Sequence, residues 1–242
     1  MFIPAYIFKT DRLTDISYSL TFISLIMLAW VLEPYSIENT LLFVMIAAWA
    51  LRLGLFLLIR INKMKRDKRF DGRRESFIKF LSFWLLQGSA VGIVLIPALL
   101  FMAKNDGAIS PAGIAVWLIG FLVETISDIQ KYRFNIDPAN KGKFIDSGLW
   151  KYSRHPNYFG EILVWFGLYI YVCPGLNGIE KLFALIGPLF ITTLLLFVSG
   201  IPTVEKRAQE KFGKDPAWLD YKRRTNMIIP WFPRKSTPAS RL

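Results

Sequence analysis

Apolar residues in this chain come in long blocks rather than at a two-residue or 3.6-residue period. The blocks run roughly over Ile16–Leu32, Thr40–Ile59, Phe80–Met102, Pro111–Ser127, Tyr158–Cys173 and Leu182–Ile201. Each approaches the length needed to cross a ~30 Å hydrocarbon layer, about 20 residues as a helix. The fourth and fifth are short and polar at one end, which predicts helices that tilt or are shielded by neighbours. A large soluble helical protein would not need so many uncharged runs. The pattern therefore predicts an all-α fold, a polytopic membrane helix bundle of about six transmembrane helices. It forms one domain over residues 1–242, without internal repeat or low-complexity linker.

Charge supports that count independently. The chain has 242 residues, a net charge of +12 and 30 Lys and Arg. Two of these fall in Met1–Asp15, nine between Arg60 and Lys79, six between Asp128 and Asn157, and ten after Ile201, so 27 of the 30 lie on alternate connections. The intervening connections hold only Lys104 and Lys181, and Arg52 lies inside the second block. Alternation of this kind follows the positive-inside rule and predicts both termini in the cytoplasm. The expected location is a bacterial inner membrane or the endoplasmic reticulum. Cys173 is the sole cysteine, so no intramolecular disulfide is possible and no metal cluster is suggested. Met1–Phe8 lacks a basic start and a small-residue cleavage site and predicts an interfacial stub, not a signal peptide.

The connections on the non-cytoplasmic side are short and plain, so chemistry is expected at the other face. Arg60–Lys79 is a basic connector that suits lipid headgroups or acts as an electrostatic funnel for an anionic ligand. The tail alternates charge at helical spacing over Thr203–Phe212, turns at "GKDP", and ends in the aromatic, Pro-rich "MIIPWFP". It predicts either a helix lying on the headgroups or a lid over a cytoplasm-facing cavity.

Ionisable residues at membrane depth are costly and usually face a protein-lined cavity. Arg52 lies seven residues before the cytoplasmic end of the second block and either snorkels or serves a ligand. Glu124 and Asp128 are spaced i, i+4 at the end of the fourth, so both lie on one helix face. Glu161 lies one turn inside the fifth. In "YSRHPNYFGE", Pro156 suits the first helical position, with His155 as the cap. A helix start of this kind, with Lys151 and Arg154 beside it, is a site for phosphate. Asn157, Glu161 and Trp165 recur every four residues and form a polar-to-aromatic stripe descending from that start. A nicotinamide dinucleotide, anionic at one end and flat and uncharged at the other, matches the stripe. A sulfonium nucleotide matches in part. An interfacial aromatic belt would account for Tyr158 and Trp165 but not for Glu161. No GxGxxG motif follows a strand, so a Rossmann domain is excluded and any dinucleotide must be held by the bundle.

With "SDIQKYRFN", "GLWKYSRHPNYFGEILVWFG" and the terminal "MIIPWFP", the chain resembles the steroid 5-alpha-reductase superfamily, closest to its poorly characterised, mainly bacterial-type branch. The resemblance runs over about Glu124–Pro233. It implies a membrane-embedded, NADPH-dependent reductase of a carbon–carbon double bond conjugated to a carbonyl, acting on a lipid-like substrate such as a sterol. Residue by residue, it implies cofactor or substrate contacts for Asp128, Asn157, Glu161 and Trp165, and a place in the cofactor wall for Arg52. Arg133, Lys151 and Arg154 are the expected phosphate grip, with His155 beside them. Asp15 falls where the reductases place an acid that polarises the substrate carbonyl. The expected catalytic set is thus Glu161, Asp15 and Tyr158. Expected partners are the lipid-like substrate and membrane lipids, with no nucleic acid and no obligate protein. Isoprenylcysteine and phospholipid methyltransferases share the "RHP-x-Y-x-G" core, so S-adenosylmethionine is the alternative cofactor. The chain departs from the steroid enzymes at Trp49, where they carry Tyr, at Glu124 for Asn, and at Gly200 for Arg. Glu205-Lys206 stands where the methyltransferases usually carry two Glu residues.

Overall fold

The computed structural model describes residues 1–8, 12–33, 35–64, 76–104 and 107–235, with only the backbone of residues 12, 13, 15 and 61–64. Helices account for the regular structure of those residues: α1 Phe2–Ile7, α2 Arg12–Leu32, α3 Ile37–Met64, α4 Phe77–Met102, α5 Pro111–Ile136, α6 Pro156–Val172, α7 Gly178–Thr193, α8 Ile201–Phe212 and α9 Pro216–Arg224. Five spans are long and apolar enough to cross a membrane: Ile37–Arg60, Phe77–Met102, Pro111–Ile136, Pro156–Gly175 and Gly178–Phe212; Ile16–Leu32 is a shorter apolar helix. The chain is an all-α, polytopic membrane protein, as the six blocks predict.

The blocks and the helices part company where polar residues continue a helix. α5 runs on past Ser127 to Ile136, so Glu124 and Asp128 lie well inside it rather than at its end. Hydropathy marks where the lipid stops, not where the hydrogen-bond ladder stops. The ladder stops at Asp137, which is extended because Pro138 follows, and whose carboxylate accepts from the Ala139 amide. The last block is not one regular helix either. α7 gives way to a single π-turn, Leu194–Val198, and α8 starts anew after Gly200.

The chain forms two compact units, Met1–Gly113 with Leu168–Pro188 and Ile114–Gly167 with Leu189–Leu242. In the first, α2 packs chiefly on α3 and also on α4. Phe22 and Trp49 meet edge to face at 5.1 Å in the centre of that contact, and both are fully buried. The Ser19 hydroxyl donates to the Ala50 carbonyl, and Gly54 leaves room for that side chain. Met1–Phe8 is more than a stub. Its helix buries Ala5 and sets Phe2 and Tyr6 against Phe77, Phe80 and Trp84 of α4.

In the second unit, α5 and α6 touch backbone to backbone. A Cβ on Gly160 would lie 2.5 Å from the Glu124 amide nitrogen, and one on Gly120 would lie 2.6 Å from that of Val164. One on Gly167 would collide with the backbone of Trp117. Small residues are what permit such an approach between membrane helices. It fixes the start of α6 against the buried acids of α5.

Candidate functional site

The connection from α5 to α6 is held from both sides. Gly148 takes a positive φ of 60°, and its missing Cβ leaves space for Gln130, whose side-chain oxygen accepts from the Leu149 amide at 2.9 Å. Trp150 is buried and donates its indole N–H to the Ser127 carbonyl at 3.0 Å. Lys131 Nζ lies over the same ring, 4.3 Å from its centre. From the C-terminal side, Tyr221 donates to the Trp150 carbonyl at 2.7 Å. Burial pushes the Tyr221 hydroxyl far above its ordinary value, so it remains a donor at any working pH.

The segment after α9 then runs alongside Tyr152–Arg154. The Arg154 amide donates to the Asn226 carbonyl at 2.9 Å, Ser153 Oγ to that of Ile228 at 2.7 Å, and the Trp231 amide to that of Tyr152 at 3.0 Å. The Ser153 hydroxyl also accepts from the His155 amide at 3.1 Å. The tip of α6 is therefore fixed by the stretch that follows α9.

α8 brings the opposing charge. Ser199 and Gly200 amides both donate to the Leu194 carbonyl, and a Cβ at Gly200 would collide with the Leu195 backbone. This break redirects the chain so that Glu205 faces the α6 tip. Glu205 Oε2 accepts from Arg154 Nη1 at 2.8 Å, and Glu205 Oε1 lies 2.9 Å from His155 Nε2. Lys222 Nζ is 4.0 Å from the same carboxylate and donates to Gln209 Oε1 at 3.1 Å. Burial lowers the pKa of His155, and this outweighs the upward pull of Glu205, so the ring is neutral near pH 7. A carboxylate only accepts, which puts the imidazole proton on Nε2. Tyr158 stacks on the other side of that ring, at 5.6 Å and 13°.

Beside this cluster lies a cavity of about 170 Å³. Lys131 and Asn135 line it from α5, Lys143, Phe144, Ile145 and Trp150 from the connection, and Arg154 and His155 from the α6 tip. α8 adds Glu205, Lys211 and Phe212, and α9 adds Trp218 and Tyr221. Rings and cations are interleaved on its walls. Phe144 packs on Phe212 at 5.7 Å and Tyr221 at 5.4 Å, and Lys211 Nζ lies 4.7 Å from the centre of Phe212. Four cationic side chains, Lys131, Lys143, Arg154 and Lys211, face one carboxylate, Glu205.

Of the residues expected from the sequence, Arg154 and His155 line this cavity. Asp128 is buried inside α5, and Trp165 is fully buried on α6. Asn157 and Glu161 are half-buried, and the Asn157 side-chain oxygen is enclosed without a hydrogen-bond partner among the described residues. Arg133 and Lys151 are exposed and do not line the cavity, and Lys151 Nζ sits 5.9 Å from the Tyr152 ring. Arg52 is half-buried on α3 in the first unit. Asp15 lies on α2 in that same unit, with its side chain outside the described residues, and most of the basic connector Arg60–Lys79 is likewise outside them. Sequence reasoning passes over Glu205 as a partner for Arg154 and His155, and over Lys131, Lys143 and Lys211 as lining cations. The signal for Glu205 is its place in the first turns after Gly200 and Pro202, which decides the face of α8 that turns inward.

The family model described as "Protein of unknown function (DUF1295)" matches residues 1–225, and the chain belongs to that family. No curated protein and no solved structure matches the chain.

Proposed function

We propose that this member of the DUF1295 family is a membrane-embedded, NADPH-dependent reductase of a carbon–carbon double bond conjugated to a carbonyl in a lipid-like substrate, of the steroid 5-alpha-reductase kind. One observation carries the reading: the cavity at the α6 tip presents four cations against one carboxylate, between aromatic walls. That lining suits a phosphate joined to a flat base. Complete small-molecule sites occupy about 300–1,000 Å³, so a cavity of about 170 Å³ takes one end of such a cofactor and not the whole of it.

When bound, NADPH supplies the hydride. The chain's residues hold and orient it. Glu205 pins Arg154 so that the guanidinium keeps a fixed direction at the cavity wall, and the neutral His155 adds a planar face rather than a charge. Asn157 offers its enclosed side-chain oxygen, which has no hydrogen-bond partner among the described residues, as an acceptor for a carboxamide N–H. Reduction of an enone builds negative charge on the carbonyl oxygen, and a donor in a water-excluded site must meet it. Glu161 and Tyr158, both on α6 in the second unit, are the donors proposed for this task, whereas Asp15 belongs to the first unit. The alternative, an S-adenosylmethionine-dependent membrane methyltransferase, draws support from the shared "RHP-x-Y-x-G" core and from the Glu205 carboxylate. It is disfavoured because its cofactor has no phosphates to meet the cations and is itself cationic at sulfur.

The test is thermal stabilisation of the detergent-purified protein by NADPH, NADH and S-adenosylmethionine. NADPH is expected to raise the melting temperature, and replacing both Lys143 and Lys211 with Ala is expected to shrink that rise. Stabilisation by S-adenosylmethionine alone overturns the assignment.

A further inference from the structure

The stretch after α9 carries a surface that the cavity does not use. Over Asn226–Phe232, Met227 and Ile229 are exposed at 44% and 62% and Trp231 and Phe232 at 66% and 77%, while Ile228 and Pro230 are half-buried. A loop free in water would not hold four large apolar side chains outward at fixed positions. Here the backbone cannot collapse over them. Arg154, Ser153 and Tyr152 bond to it from one side, and the Arg234 amide donates to the Arg224 carbonyl at 2.9 Å, closing the far end. Phe232 is further braced edge to face on Tyr152 at 5.9 Å.

Charge says what covers the surface. Lys151, Arg223, Arg234 and Lys235 are exposed around it, and the acids beside them are already paired, Asp220 with Arg223 and Arg224 and Asp146 with Arg224. A second apolar protein face would be repelled or left unpaired by such a rim, whereas anionic headgroups over acyl chains match both parts. Trp and Phe beside cations are the side chains that settle at a membrane–water boundary. We propose that residues 226–235 form a rigid strap that seats in the anionic cytoplasmic leaflet of the protein's own membrane. Through its bonds to Tyr152–Arg154, the strap ties the depth of the α6 tip to the lipid surface. The inference does not depend on which cofactor the cavity takes.

The experiment uses the full chain, with Cys173→Ser to remove the native thiol, reconstituted into vesicles of phosphatidylcholine with phosphatidylglycerol. Trp231→Cys carries an environment-sensitive fluorophore, and Phe232→Cys gives a second placement should the first variant not fold. The label is expected to emit to the blue, to be quenched by doxyl groups on the lipid chains and to resist aqueous iodide. Arg234→Gln with Lys235→Gln, or vesicles of phosphatidylcholine alone, are expected to reduce the lipid quenching and admit iodide. Full iodide access in the anionic vesicles overturns the proposal. So does a label shielded from both quenchers that transfers energy to a second labelled copy, which would make the strap a contact between chains.

Discussion

Glu205 hydrogen-bonds Arg154 and His155 with one oxygen each, and His155 is the partner that pH acts on. It is neutral near pH 7 because burial holds its pKa below the ordinary 6.5. In the unfolded chain that imidazole takes a proton as pH falls through about 6.5, while in the folded protein it resists. The unfolded state therefore binds more protons over this interval, and stability falls as pH drops below 6.5. Above that value the residue contributes no pH dependence. Thermal unfolding of the purified protein between pH 8 and 5 checks this. The wild type is expected to lose more melting temperature on acidification than His155→Gln, whose amide still donates to Glu205 but does not titrate. Parallel curves would show that folding leaves the His155 pKa where the unfolded chain has it.

Helix contacts decide which glycines matter. Gly88 on α4 has nothing within 4 Å of where a Cβ would stand, while at Gly160 on α6 the nearest atoms are the α5 backbone at Glu124 and Gly120. A flexible side chain can move aside, but two helix backbones cannot without separating. Gly160→Ala is expected to destabilise by about 1–3 kcal/mol through overpacking, and Gly88→Ala to leave stability unchanged or raised. Comparative melting of the two variants in detergent measures the difference, and equal effects would refute the close contact. The same comparison shows what the sequence makes legible. Each hydrophobic block predicts a helix because lipid leaves the backbone no other partner, and Pro156 marks the start of α6 by its own covalent geometry. The local pattern cannot show that Gly160 faces Gly120 or that Glu205 reaches Arg154 and His155. Those pairings span about 40 and 50 residues, respectively, and no periodicity encodes them. Nor does hydropathy reveal the π-turn at Leu194–Val198, since its residues are as apolar as those of the regular helix before it. Of the candidate site, the cation-bearing tip of α6 was legible as a helix start. The cavity beside it was legible only as one of two readings of the tail, a lid, and its lining was not, because the α8 and α9 side chains that form its other wall are brought there by long-range pairing.

Across the whole molecule, alternate connections carry very different charge. The connections assigned to the cytoplasm hold 27 of 30 Lys and Arg residues, and those assigned to the far side hold Lys104 and Lys181. Lys104 is neutralised further by an ion pair with Glu180. Reversing the orientation would carry the dense basic segments across the bilayer and leave the anionic leaflet facing almost no cations, at about 1 kcal/mol for each juxtamembrane charge. No single helix has to encode its direction, because alternate connections all vote the same way. The expected topology also sets the supply of ligand. A cofactor drawn from the cytoplasm reaches the cationic cavity at the α6 tip only if α8 and α9 lie on that side. Cysteine labelling in intact cells decides it, with Cys173→Ser as the background. Gly178→Cys, at a position with open space around it, is expected to react with a membrane-impermeant maleimide from outside. Lys214→Cys, in the exposed turn between α8 and α9, is expected to react only after the membrane is permeabilised. The reverse pattern would place the cavity outside the cell or in the lumen, away from the cytoplasmic NADPH pool that the reductase reading requires.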